Sequence, residues 1–248
     1  MPAANGKIKG VLFDMGSTLL EFENHSWGEL DGRCIAAAYE FVEKSGHKLP
    51  EFPEFEKSFR QVLAEYWSAT DQTLEEKPLA HLLLVGLARA GVEKNWLGME
   101  ELGRVFYQPI RNQITEYDDA LEVLENLQGK NLALAVVSNS IFPQEYHLED
   151  LRRFGLASFF RTTLFSSDIG VRKPHPEIFQ RALAALSLGP EEVIFVGDRM
   201  REDVLGPQQV GIRAVLKYHP RRDYSLAAKP LATVACLKEL LAVVEKHI

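Results

Sequence analysis

Residues 11–20 read VLFDMGSTLL, an apolar run that stops at Asp14 and then turns through glycine, serine and threonine. Apolar residues without alternation are the pattern of a strand covered on both faces. The same pattern returns in LALAVVSN, ending at Asn139, in RTTLFSS near Ser166, in EVIFVGD at Asp198 and in IRAVLK at Lys217. Helical periodicity lies between these runs, as in DDALEVLENLQG with its glycine stop and in HPEIFQRALAALSLG. Strands alternating with helices predict a doubly wound, Rossmann-like α/β core on a parallel sheet.

One connection does not fit a simple crossover. Between the first strand and the helix beginning near Asp118 the chain runs for roughly a hundred residues, several times the usual length. Within it DGRCIAAAYEFVEKSG, FEKSFRQVLAEYW, LAHLLLVGLARAG and MEELGRVFYQPIRNQI read as amphipathic helices, broken at Gly46, Pro50, Pro78 and Gly91. The expected organisation is a core of residues 1–20 and 117–248 with an α-helical domain, 21–116, inserted after the first strand. Trp27, Tyr39, Phe59, Tyr66, Trp67 and Phe106 fall at helix spacing and are expected to form that domain's interior.

Composition narrows the partners. With 46% hydrophobic and 25% charged residues the chain reads as a globular protein. No apolar run approaches the roughly 18 residues of a membrane span, and MPAANGKIKG lacks the apolar stretch of a secretory signal. A net charge of −7 argues against a general nucleic-acid binder. Cys34 and Cys236 lie far apart without metal-ligand spacing and read as reduced core thiols, so the expected location is cytoplasmic. Nothing in the sequence specifies an oligomeric state.

In an open parallel sheet ligands bind at the carboxyl ends of the strands. There the first strand delivers Asp14, the second Ser138 and Asn139, and the fourth Asp198, with Asp203 five residues on. Lys173 sits in GVRKPHPEIF, a loop marked by glycine and proline that leads into a helix. Taken singly, each has a structural role open to it: strand-end aspartates form turns, serines cap helices and lysines are solvated. Their convergence on one sheet edge argues for a site. Carboxylate oxygens with few imidazoles suit magnesium, and a cation beside a lysine and a hydroxyl suits a phosphoryl group.

These segments resemble the four motifs of the haloacid dehalogenase-like (HAD) hydrolase superfamily. VLFDMGSTL is similar to its apolar strand followed by Asp-x-Asp-x-Thr, and LALAVVSN to its strand ending in Ser or Thr. GVRKPHPEIF resembles its lysine motif, and VIFVGDRMREDVLGPQQVGIRAV its Gly-Asp motif with a second aspartate. The resemblance spans Ile8 to Leu216, and the inserted helices stand where the family carries a helical cap of the first type. It implies that Asp14 is a nucleophile forming an aspartyl-phosphate, that Ser138 hydrogen-bonds the phosphoryl group and that Lys173 neutralises it. It further implies Mg2+ held by Asp14, the Gly16 carbonyl, Asp198 and Asp203, a turn closed by Thr18, and substrate contact by Asn139 and Thr18. The substrate would be a small phosphorylated metabolite, and hinges for the cap would lie near Glu21 and Glu116–Asp118.

Gly16 departs from the motif. It stands where the family's phosphatases carry a second aspartate, the general acid/base, so that proton donor is missing while the backbone carbonyl remains. Either the glycine eases the turn and Glu21, Glu23 or His25 supplies the proton, or the site favours good leaving groups. The resemblance also leaves room for a 2-haloacid dehalogenase with a halide-binding arginine (Arg33, Arg60 or Arg89). It leaves room equally for a phosphonate hydrolase with a Schiff-base lysine (Lys44, Lys48, Lys57 or Lys77) and for a catalytically weak binder of phosphorylated ligands. The basic segment KYHPRRDYSLAAKP, residues 217–230, is expected to be a solvated loop.

Overall fold

The computed structural model describes residues 7–92 and 98–248. They form two compact units: one holds the chain up to Glu21 and from Thr115 onward, the other is Phe22–Ile114. Among the described residues no helix is long and apolar enough to cross a membrane.

The first unit is built on strands β1 (Gly10–Phe13), β2 (Leu20–Glu21), β3 (Thr115–Glu116), β4 (Ala133–Ser138), β5 (Thr162–Phe165), β6 (Val193–Gly197), β7 (Arg213–Lys217) and β8 (Ala232–Val234). Six of them make a parallel sheet in the order β5-β4-β1-β6-β7-β8. Every residue of β1, β4 and β6 is buried, which is why these strands read as continuous apolar runs. Helix Pro176–Leu186 covers one face, setting Ile178, Phe179 and Ala182 against Leu12, Ala135 and Phe195. The alternate residues Val11, Phe13 and Val136 point the other way and are equally buried. Each such fully buried side chain contributes about 1.5–3 kcal/mol.

Two elements escape the sequence reading. β8 extends the sheet by three residues, one of them exposed, too short and too polar to register as an apolar run. β2 and β3 pair antiparallel over two residues each, Leu20 with Glu116 and Glu21 with Thr115. The chain therefore leaves and re-enters this unit through one small ladder.

The second unit, among the described residues, consists of helices Trp27–Lys44, Phe52–Thr73, Leu79–Arg89 and Met99–Gln113. The first opens with a capping box: the Glu29 amide donates to Ser26 Oγ, and the Ser26 amide to the Glu29 carboxylate. Gly46, Pro50, Pro78 and Gly91 all fall between helices. The Phe55 and Phe59 rings stack at 4.5 Å, with Tyr39 edge-on to Phe55 at 5.1 Å. Phe59 sits so close to Gly86 that a Cβ there would meet its ring at 2.6 Å. Phe59, Tyr66 and Phe106 are interior to this unit, whereas Trp27 and Trp67 are about two-fifths exposed, at 42% and 40%. Arg60 and Arg89 pair with Glu56 and Glu65, while Arg33, Lys44, Lys48, Lys57 and Lys77 are exposed. Exposure at those four lysines argues against the Schiff-base reading, since an amine nucleophile is activated by desolvation or a nearby cation.

Candidate active site

The carboxyl edge of the sheet gathers the site. Asp14 follows β1, its amide donating to Val196 O at 2.8 Å so that the strand pairing carries the chain one residue further. Its carboxylate is buried, and Oδ1 accepts from Ser138 Oγ at 2.9 Å and from Lys173 Nζ at 2.7 Å. No protein donor to Oδ2 is found among the described residues. Ser138 is the last residue of β4, in parallel register with the strand that leads to Asp14, so the hydroxyl and the carboxylate are neighbours by topology.

Lys173 is buried, its ammonium bridging Asp14 Oδ1 and Asp203 Oδ1 at 2.6 Å from the latter, with the Phe195 ring centroid 5.0 Å away. Burial alone would lower its pKa, but Asp14 and Asp203 outweigh that and raise it, so the ammonium stays charged. Its backbone is gripped by Asn139: the Lys173 amide donates to Oδ1 at 2.7 Å, and Nδ2 donates to the Lys173 carbonyl at 3.0 Å. The Asn139 carboxamide thus fixes the loop that carries the lysine.

Asp203 sits in a π-helical turn, Met200–Leu205, where its amide donates to Arg199 O at 2.8 Å. Such turns recur at functional sites. Its Oδ2 accepts the amides of Asp198 and Arg199 at 3.1 and 2.9 Å, tying the end of β6 to the turn. Burial pushes the Asp203 carboxyl up to about 7; Lys173 opposes this, while Asp14 and Asp198 add to it. Burial likewise raises Asp198, with Asp14 adding to it and Arg222 opposing. Gly197 is what lets Asp203 lie there, since a Cβ at 197 would stand 2.4 Å from its Cγ. Gly197→Ala is therefore expected to destabilise the protein by about 1–3 kcal/mol through overpacking and to lower activity with it. Urea unfolding checks the first, and unchanged stability with unchanged turnover would contradict it.

The segment read as a solvated basic loop is exposed over much of its length, but three of its basic residues turn inward. Lys217 and His219 are buried. Lys217 Nζ donates to Ser17 O at 3.0 Å and lies over the Tyr117 ring, 3.5 Å from its centroid. Burial lowers its pKa against the pull of Asp198 and Glu21. Arg222 reaches furthest: its Nε donates to Asp198 Oδ2, and its Nη2 to Ser17 Oγ at 3.0 Å. The strand-end rule that singled out Asp14, Ser138 and Asp198 points to this segment too, because it leaves the end of β7.

The first-motif turn is tight. Met15 O accepts the amides of Leu19 and Leu20, and the left-handed conformation falls on Ser17, at φ 54°. Thr18 is wholly buried, its Oγ1 without a hydrogen-bond partner. Gly16 is half-buried between them. Of the candidate proton donors, Glu21 accepts from Tyr117 Oη at 2.7 Å and has His219 Nε2 at 3.2 Å and Ser17 Oγ at 3.4 Å. Glu23 and His25 belong to the second unit.

Asp14, Asp198 and Asp203 each offer an oxygen within 4.8 Å of the others, and all three are buried. Asp198 Oδ1 is buried without a hydrogen-bond partner. A desolvated carboxylate oxygen left unpaired beside a second carboxylate is costly. A small cation with oxygen preference relieves that cost, so the donor set fits Mg2+.

The profile of the haloacid dehalogenase-like hydrolases matches residues 8–211. The chain belongs to this family. As a HAD-like hydrolase it is 34% identical over 140 residues to the phosphoserine phosphatase of Thermus thermophilus, a match covering 56% of this chain and 55% of that protein. It thus spans about half the length of that relative. It is 28% identical over 210 residues to the glyceraldehyde 3-phosphate phosphatase of Methanothermobacter thermautotrophicus, covering 84% and 85% respectively. It shares its fold with a 2-haloacid dehalogenase from Pseudomonas syringae pv. Tomato, with TM-score 0.70, 23% identity and coverage of 96% and 99%.

Proposed function

We propose that this HAD-like hydrolase is a Mg2+-dependent phosphatase of a small phosphorylated metabolite that works through an aspartyl-phosphate on Asp14. The observation that carries the reading is the state of that carboxylate. Oδ1 is held by Ser138 and Lys173, which leaves Oδ2 for attack. The relatives named as phosphatases support hydrolysis of a phosphate ester.

Asp14 Oδ2 attacks phosphorus as the bond to the leaving oxygen breaks. The Ser138 hydroxyl and the Lys173 ammonium then face phosphoryl oxygens, offsetting their charge from fixed positions. Asn139 keeps Lys173 in place through its backbone, and Asp203 holds the ammonium from the other side. Water next attacks the phosphorus of the acyl phosphate, inorganic phosphate departs and Asp14 is restored. Asp14, Asp198 and the Gly16 carbonyl would hold Mg2+, with Asp203 behind them, and the ion supplies positive charge for the phosphoryl group. Gly16 offers no side chain to protonate the leaving oxygen, so substrates with good leaving groups turn over fastest. Both cysteines are free thiols, Cys34 in the interior as expected and Cys236 exposed rather than in the core, and this accords with a cytoplasmic setting.

Initial rates on acetyl phosphate, p-nitrophenyl phosphate and a sugar phosphate test this. Turnover of the two activated compounds is expected with Mg2+, a slow rate on the sugar phosphate, and loss of all three rates on chelation. Phosphate release unaffected by chelation, or halide release from a 2-haloacid in its place, would overturn the reading.

A further inference from the structure

Two cations pair directly with the three carboxylates of the site. Lys173 serves Asp14 and Asp203. Arg222 serves Asp198, with both side chains nearly inaccessible to solvent. With all three carboxylates ionised, these two contacts leave one net negative charge, whereas a divalent ion would be matched by two. Arg222 is also firmly held. Its second anchor is Ser17 Oγ, in the first-motif turn. The turn that carries it is closed by the Arg222 amide donating to His219 O at 3.2 Å. The Tyr224 hydroxyl clamps that turn, accepting the His219 amide at 2.7 Å and donating to the His219 carbonyl at 2.9 Å. The guanidinium is thus a tethered ion at one of the carboxylates that would hold the metal.

We propose that Arg222 competes with the divalent cation for Asp198, so that the protein at low metal rests with Asp198 paired to Arg222 and gains its cofactor only above a threshold set by the 219–224 turn. The inference rests on the metal-dependent reading of the site and adds to it a regulatory residue. The physical basis is charge. A guanidinium on Asp198 Oδ2 repels a dication shared between Asp198 and Asp14, and the low dielectric of a buried site strengthens that repulsion. Binding therefore requires Arg222 to withdraw from Oδ2 or to tolerate the ion beside it, and either course weakens affinity.

Calorimetric titration of the whole protein with MgCl2 tests the proposal without reference to turnover. Arg222→Gln removes the charge and is expected to lower the Mg2+ dissociation constant by about tenfold or more. Arg222→Lys, which keeps a charge, should change it less. Tyr224→Phe touches neither carboxylate and only loosens the turn, so it should lower the constant by a smaller factor; it stands in should Arg222→Gln not fold. A constant that is unchanged or raised in Arg222→Gln, or unchanged in Tyr224→Phe where only that variant folds, overturns the proposal. In the first case Arg222 would be orienting Asp198 for the metal. If wild type and Arg222→Gln both bind no Mg2+, the metal reading falls and this proposal with it. If wild type binds and Asp198→Asn does not, the metal reading stands whatever Arg222 does.

Discussion

Asp14→Asn is expected to cut phosphate release from acetyl phosphate and p-nitrophenyl phosphate by on the order of 10⁴-fold or more, the scale on which loss of a nucleophile is felt. The substitution nearly preserves shape. An amide oxygen can still accept from Ser138 and Lys173, the donors that Asp14 Oδ1 meets now. It also removes one of three like charges packed within 4.8 Å, so the fold should not suffer. What is lost is the nucleophilic oxygen. Circular dichroism separates that from unfolding, and a folded variant retaining a rate within about tenfold of wild type would place the attacking group elsewhere.

The second large effect runs the other way. Gly16→Asp puts a carboxyl group two residues beyond the nucleophile, where the motif otherwise lacks a proton donor. General acid/base catalysis is typically worth about 10²–10⁴-fold, or roughly 3–5 kcal/mol of barrier. Hydrolysis of a sugar phosphate, whose alkoxide leaves poorly, should rise by that order, while acetyl phosphate should change little. The left-handed conformation of the turn lies on Ser17, so the position next to it is not the one where φ demands glycine. Equal effects on both substrates would mean that the proton already comes from another group. Glu21 would be the first to examine, although its carboxylate is engaged by Tyr117, His219 and Ser17.

Most of the sheet could be read directly because its central strands are buried on both faces and so appear as unbroken apolar runs. β8, with only Val234 buried, gives no such signal, and two-residue ladders such as β2–β3 lie below any periodicity. The π-turn at Met200–Leu205 was not legible either, since MREDVL differs from a helical first turn only in its backbone hydrogen bonds. Within the site, Asp14, Ser138, Lys173, Asp198 and Asp203 come together because the strand-end rule is topological and needs no side-chain detail. Asn139 satisfies the same rule, yet its partner is a backbone thirty-four residues on, which only the folded loop reveals. Arg222 was hidden for a different reason. Three basic residues beside a proline look solvated, and only a charge count over the carboxylates shows that one lysine leaves the cluster underneutralised.

The most direct test of the central claim is to trap the intermediate. The protein would be mixed with radiolabelled acetyl phosphate and Mg2+, quenched in acid within a turnover, and the labelled peptide sequenced. The account predicts one phosphoryl group per chain on Asp14, absent from Asp14→Asn and discharged by hydroxylamine as an acyl phosphate must be. Steady turnover with no label on the protein, or with label on a residue other than Asp14, would contradict it.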